Sequence, residues 1–90
     1  MGELIIFPRW RVITRDEGSA PGDPVVLIDP RGRRIIVEEV LRSRLVAPAD
    51  PGGGVRREVL VRAGGGTYLA VYSERTGRWE VLPGRTQPSS

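Results

Sequence analysis

The chain has 90 residues and a formal net charge of +3, from 14 basic and 11 acidic residues. It contains no Cys and no His, which excludes disulfides, Cys/His metal sites, thiol nucleophiles and imidazole bases. Every basic residue is Arg, which also excludes lysine Schiff-base chemistry and a P-loop lysine. With 12 Gly and 8 Pro among many Val, Ile and Leu residues, the composition favours one all-β domain with short strands and frequent turns.

The first part of the chain predicts two short strands and a loop. Residues 3–7 and 10–14 are β-prone runs, and Pro8 between them cannot donate a hydrogen bond to a ladder. Residues 16–23 (D-E-G-S-A-P-G-D) are predicted to form a loop, because acidic, Gly and Pro residues pack poorly.

The strongest signal is a hairpin over residues 25–41, where two apolar runs flank a turn of sequence D-P-R-G. Pro30 fixes φ at the first corner, and Gly32 accepts a positive φ. Beyond the turn two alternatives remain: one long strand with a bulge near Glu38 and Glu39, or a shorter strand followed by a helical turn over residues 38–45. The residue types and the lack of a helix cap before Glu38 favour the strand.

Further strands are predicted at residues 55–63, 67–73 and 78–82. In the second of these, Leu69 and Val71 are expected to face the core. Residues 47–54 are predicted to form a flexible loop, and Gly77 is placed where a short hairpin turn requires a positive φ.

These elements predict a single β domain over residues 1–83 and a flexible C-terminal tail over residues 84–90. Six or seven strands form an antiparallel meander, which we expect to hide its edges by closing into a small SH3-like open barrel or roll. The expected core consists of Ile6, Val12, Leu27, Ile35, Val37, Leu41, Val59, Val61, Leu69, Val71, Trp79 and Val81.

No catalytic constellation is present in the sequence, so we expect no enzyme activity, no cofactor and no metal. Glu38 and Glu39 would point to opposite faces of a strand and could not act together. The glycine runs at residues 52–54 and 64–66 lack the Lys and Ser/Thr of a P-loop. Ser43 and Ser73 have none of the usual bases to activate them.

Arginine beside aromatic residues is the one pattern with a chemical interpretation. Small β-barrels that bind single-stranded nucleic acid use Arg to contact phosphates and aromatic rings to stack on bases. The alternative is that Trp10 and Trp79 fill the core while Arg protects the sheet edges. The residues predicted to contact nucleic acid are Arg9, Trp10, Arg11, Arg31, Arg33 and Arg34.

Two stretches of the chain together carry a four-part pattern: G-x-P before an apolar strand, a G-R turn, a V-x-E-V-L strand and a T-G-R-W hairpin. In this chain the four parts are residues 22–24, 32–33, 37–41 and 76–79. The pattern resembles a small all-β domain of unknown function from high-GC bacteria, found alone or attached to Y-family polymerase-like proteins. The resemblance implies a β fold and no known activity.

The leading hypothesis is a non-catalytic binding or accessory module that acts near nucleic acid. The alternative is a structural or protein-interaction domain that oligomerises, for example as a homodimer, through an exposed strand edge. The longest apolar runs are far shorter than the ~20 residues that cross a bilayer, and no signal-peptide pattern is present. We therefore expect no membrane partner and a cytoplasmic location.

Overall fold

The computed structural model describes residues 9–17, 20–47 and 52–84, and these form six antiparallel strands and no helix. The strands are β1 (Arg11–Glu17), β2 (Ala20–Ile28), β3 (Arg34–Val46), β4 (Arg56–Ala63), β5 (Gly66–Ser73) and β6 (Arg78–Gly84). They lie side by side in chain order, and β1 approaches β6 without forming a ladder in the described part of the chain. The predicted all-β meander is confirmed as a curled half-barrel. The strand expected at residues 3–7 and most of the predicted tail lie outside the described residues.

β3 is one long strand with bulges, as the preferred alternative predicted. Up to Ile36 it pairs with β2, and from Val37 onwards it pairs with β4. Its register against β4 shifts between Val37 and Glu39 and again between Val40 and Arg42. A bulge adds a residue to one strand and increases its bend and twist. The two shifts therefore turn β3 from the first half of the sheet (β1, β2 and the start of β3) into the second half (the rest of β3 with β4, β5 and β6).

The core lies on the inner face of the curl. Its buried residues are Leu27, Ile35, Val59, Val61, Ala63 and Val81, and the half-buried residues packed against them are Trp10, Val12, Val37, Val40, Tyr68 and Trp79. The inward faces predicted for β4 and β6 are confirmed. Ile6 lies outside the described residues.

The inward face predicted for β5 is wrong. Ala70 is fully buried and lies opposite Val59, and Tyr68 lies opposite Val61, so Leu69 and Val71 belong to the outer face. Both faces of β5 are apolar, and pairing with β4 decides between them. The inward-facing residues of β5 are Tyr68, Ala70 and Tyr72. The small Ala70 between two tyrosines leaves room for the core residues of the neighbouring strands.

Two other expectations are wrong. Leu41 is 43% exposed because the second register shift of β3 makes it the extra residue of a bulge. The loop expected at residues 16–23 is largely a hairpin, since β1 extends to Glu17 and β2 begins at Ala20. Pro24 fits into β2 because the ladder between β1 and β2 is irregular at this point, where a missing N–H costs little.

Glycines define the two short turns of the second half of the sheet. Gly64 and Gly65 connect β4 to β5 with φ values of 56° and 82°, as the central residues of a type I′ turn do. A Cβ atom at Gly64 would lie 2.8 Å from Ile35 Cγ2, so this turn also packs closely on the core. Gly77, with φ of 66°, donates its N–H to the Ser73 carbonyl and closes the turn between β5 and β6, as predicted.

Arg57 connects the two halves of the sheet on their inner side. It lies on the inner face of β4, and its Nη2 atom is 2.7 Å from Asp23 Oδ1 on β2. Its Nη1 also donates to the Gly22 carbonyl at 3.5 Å, and its Nε donates to Ser43 Oγ at 3.3 Å. The Arg57 side chain is only 25% exposed, so this ion pair is screened less than one in open solvent.

Gly22 in β2 lies close against the backbone of β1. A Cβ atom there would lie 1.9 Å from the backbone carbonyl oxygen of Arg15. We expect Gly22→Ala to destabilise the domain by about 2 kcal/mol or more, because the strands must move apart. Urea unfolding followed by Trp fluorescence measures the change.

Gly66→Ala is the matched control. Gly66 also lies in a strand, as the first residue of β5, but a Cβ atom there meets nothing within 4 Å. Its effect should stay within about 0.5 kcal/mol. Equal effects of the two substitutions would contradict the role assigned to Gly22.

Candidate functional site

Sheet pairing brings the two predicted arginine segments together. Arg11, at the start of β1, lies opposite Ile28 at the end of β2, and Ile28 lies opposite Arg34 at the start of β3. Arg11 and Arg34 therefore flank Ile28 in one row across three strands. The turn that contains Arg31 and Arg33 follows Ile28 directly. All of these arginines are exposed, as is Arg9 just before β1. We call the group of Arg9, Arg11, Arg31, Arg33 and Arg34 the arginine end of the sheet.

Asp29 holds the turn between β2 and β3 in shape. Its carboxylate accepts the backbone N–H groups of Arg31 (2.9 Å) and Arg33 (2.8 Å), and its carbonyl accepts the N–H of Gly32. Gly32 has φ of 90°, so the predicted turn is confirmed. Arg33 Nε lies 3.4 Å from Asp29 Oδ2. In this turn Arg31 is exposed to solvent, whereas the Asp29 carboxylate offsets part of the charge of Arg33.

The same contacts explain the acidity of Asp29. The hydrogen bond from the Arg33 N–H is the main cause that lowers the pKa of the Asp29 carboxyl below its ordinary value. Partial burial opposes this shift, whereas the Arg31 N–H and the two arginine charges add to it. The carboxylate is therefore ionised at neutral pH and anchors the turn.

Four arginines at this end have side chains that are exposed to solvent. Among the residues that the structure describes, Arg9, Arg11, Arg31 and Arg34 form no ion pair. Elsewhere in the sheet, Arg44 pairs with Glu58 at 2.8 Å, and Arg62 pairs with Glu39. The exposed positive charge at the arginine end can attract an anionic ligand.

Trp10 lies apart from the arginine row because strand residues alternate between faces. It is half-buried on the inner side, with its ring centroid 5.6 Å from that of Tyr68 and the ring planes 53° apart. This position agrees with the alternative interpretation that Trp10 contributes to the core. It leaves part of the indole accessible from the gap between the two outermost strands.

That gap forms an open cleft of about 570 Å³ between the start of β1 and the length of β6. Trp79 lines it from β6 and packs on Tyr72 with ring centroids 5.1 Å apart. The cleft residues are Arg9, Trp10, Thr76, Arg78, Trp79, Glu80, Val81 and Leu82. Both tryptophans of the chain, each next to an arginine, therefore share one opening, which we call the Arg/Trp cleft.

Sequence reasoning did not assign Arg78 and Trp79 to the site. The R-W pair is visible at both places in the sequence, but only the curl of the meander places both pairs at one cleft. A rolled meander places its first and last strands next to each other. This is the signal that could have connected Trp10 with Trp79.

The two serines considered for catalysis and one of the two acidic residues, Glu39, have structural contacts. Ser43 Oγ accepts from Arg57, Ser73 Oγ accepts the Thr76 N–H at 3.4 Å, and Glu39 pairs with Arg62. Within the described ranges, no group of three or more Asp or Glu residues is arranged to hold a metal ion. The arrangement that remains available for ligand chemistry is the cationic and aromatic one.

Replacing Asp29 tests the turn. The folded-state pKa of Asp29 is lowered, so the unfolded chain takes up the proton first and stability falls as pH falls. This contribution is complete above about pH 5 and is lost as pH drops below the ordinary value of 3.8 towards the folded-state pKa. Asp29→Asn keeps an oxygen acceptor and removes the charge.

We expect urea unfolding at pH 6 and pH 3 to show a smaller acid loss of stability for Asp29→Asn than for the unmodified chain. Identical losses in both proteins would show that Asp29 does not contribute to the pH dependence.

Among the described residues, no helix could span a membrane. Comparison with protein-family models, with curated proteins and with solved structures finds no match to this chain. The resemblance to the bacterial domain therefore stays a prediction, and the site itself must support any proposal about function.

Proposed function

We propose that the domain is a non-catalytic module that binds single-stranded nucleic acid. The observation that carries the proposal is the Arg/Trp cleft, where Arg9 and Trp10 meet Arg78 and Trp79. Arg9 also belongs to the arginine end, so a strand leaving the cleft would meet further exposed arginines. A cytoplasmic location is part of the same proposal.

The arginines would supply most of the affinity. A guanidinium group donates two parallel hydrogen bonds to a phosphate, and each phosphate contact releases a condensed counterion. Arg9, Arg11, Arg34 and Arg78 form no ion pair with another described residue, so phosphate binding breaks no ion pair within that part of the chain.

The aromatic residues would add contacts to bases. Trp10 and Trp79 line the cleft but are half-buried and held by Tyr68 and Tyr72, so their exposed parts are small and rigid. Stacking on an aromatic ring tolerates every base, since each base has a π-face. We therefore expect weak dependence on sequence and strong dependence on salt.

The shape of the site favours single strands over duplexes. A base must leave its stack to enter a cleft, and in single strands this costs little. The volume of about 570 Å³ is in the range of pockets that hold small molecules, and it is large enough for a nucleobase. A duplex could use only the exposed arginines.

Oligonucleotide titration tests the proposal directly. Both tryptophans of the chain line the cleft, so a short oligothymidylate should quench their fluorescence. With about four phosphate contacts, log K should fall with log[salt] with a slope of about −3 for a single strand. A duplex of the same length should bind more weakly. Unchanged fluorescence and anisotropy of a labelled strand at about 20 mM salt would refute the proposal.

Single arginine substitutions test which cations take part. We expect Arg9→Ala and Arg78→Ala each to weaken binding about fivefold to tenfold and to reduce the salt slope by about 0.7. Arg42→Ala is the control, since Arg42 is exposed and has no ion pair in the described residues but lies outside the cleft. An equal effect of Arg42→Ala would mean that net charge alone drives binding.

A further inference from the structure

The C-terminal part of β3 is exposed on both faces. Leu41 is 43% exposed and Leu45 is 70% exposed, and the three residues between them are also exposed. One edge of this segment pairs with β4, whereas pairing with β2 ends at Ile36. Among the described residues, the second edge of residues 41–45 therefore has no ladder partner. We call this segment the β3 arm.

The sequence of the β3 arm is the same in both directions. Residues 41–45 read L-R-S-R-L, and the flanking valines extend the symmetry to V-L-R-S-R-L-V. Two identical strands that pair antiparallel are related by a two-fold axis, so an interface of this kind must be complementary to itself. A palindrome centred on Ser43 meets this requirement for the apolar residues.

We propose that two copies of this chain pair through the β3 arm, antiparallel about a two-fold axis at Ser43. Leu41 then lies opposite the partner's Leu45, and Ser43 lies opposite the partner's Ser43. The backbone groups of the free edge gain hydrogen bonds, and four exposed leucine side chains are covered. The two half-barrels become one continuous sheet.

The two arginines of the β3 arm oppose dimer formation. Arg42 lies opposite the partner's Arg44, and like charges directly opposite each other are destabilising. Arg44 is already paired with Glu58 at 2.8 Å, which offsets much of its charge. Added salt screens the remaining repulsion. Dimer formation should therefore strengthen or stay constant as salt rises, whereas nucleic-acid binding at the Arg/Trp cleft should weaken.

The interface is small. A five-residue ladder buries much less than the ~800 Å² per partner of a standard interface, so we expect a dissociation constant on the order of 100 µM. The β3 arm does not line the Arg/Trp cleft, and the two proposals can fail independently.

Sedimentation equilibrium of the full chain from about 10 µM to about 1 mM, at low and high salt, measures the association. We expect a monomer–dimer equilibrium that high salt does not weaken. A strict monomer at about 1 mM, or assemblies larger than a dimer, would overturn the proposal.

Leu45→Lys should raise the dimer dissociation constant at least about tenfold, because it places a charge opposite the partner's Leu41. Leu82→Lys is the matched control, an exposed leucine (50%) on the outer face of β6. Urea unfolding of both variants checks that they are folded. Equal weakening by both substitutions would show that the β3 arm is not the interface.

Ser43→Cys tests the register. The chain has no cysteine, and directly opposed residues in a ladder have Cα atoms about 4.5–5.5 Å apart, within the range of a disulfide. Oxidation should give a disulfide-linked dimer that a reductant separates. Thr76→Cys, at an exposed turn, should stay mostly monomeric at the same concentration. Equal cross-linking of both variants would overturn the two-fold axis at Ser43.

Discussion

β3 has two neighbours in succession, and the shape of the domain follows from the place where it changes from one to the other. Up to Ile36 its ladder partner is β2, and from Val37 it is β4. The register shifts that follow bend the strand, and the bend turns the second half of the sheet across the first. Arg57 then spans the inner side to reach Asp23. Without this bend, the first and last strands would lie at opposite ends of a flat sheet, and Trp10 and Trp79 would not line the same cleft.

The bend also separates the two surfaces proposed to bind partners. On one side it brings β1 towards β6 and leaves the cleft between them open. On the other side it carries residues 41–45 away from β2, so that this edge of β3 has no ladder partner in the described part of the chain. Salt weakens anion binding at a cationic opening, whereas it screens the arginine repulsion across a pair of β3 arms. One geometric feature thus produces two surfaces whose chemistry can be distinguished by experiment.

The fold class, the turn at Asp29 and the long strand with a bulge could be predicted, because each depends on local chemistry: alternation, Pro and Gly geometry, and the absence of a helix cap. The inward face of β5 could not, because Leu69/Val71 and Tyr68/Ala70 are both apolar and only pairing with β4 decides between them. Leu41 was misplaced because a bulge breaks the alternation without changing composition. The arginines near the start of β1 and in the turn between β2 and β3 are visible in the sequence, whereas the position of Arg9 beside Arg78 and Trp79 depends on the curl of the sheet.

The two apolar faces of β5 also bear on how the chain finds its register during folding. A strand with one polar face rejects a one-residue slip, because the slip would bury polar groups. β5 lacks this protection, since a slipped strand would bury leucine and valine in place of tyrosine and alanine. The information that excludes the slipped state therefore lies outside the strand, in the Gly64–Gly65 turn and its close contact with Ile35. The Gly64–Gly65 turn, which has no side chains, thus sets the register of the strand that follows it.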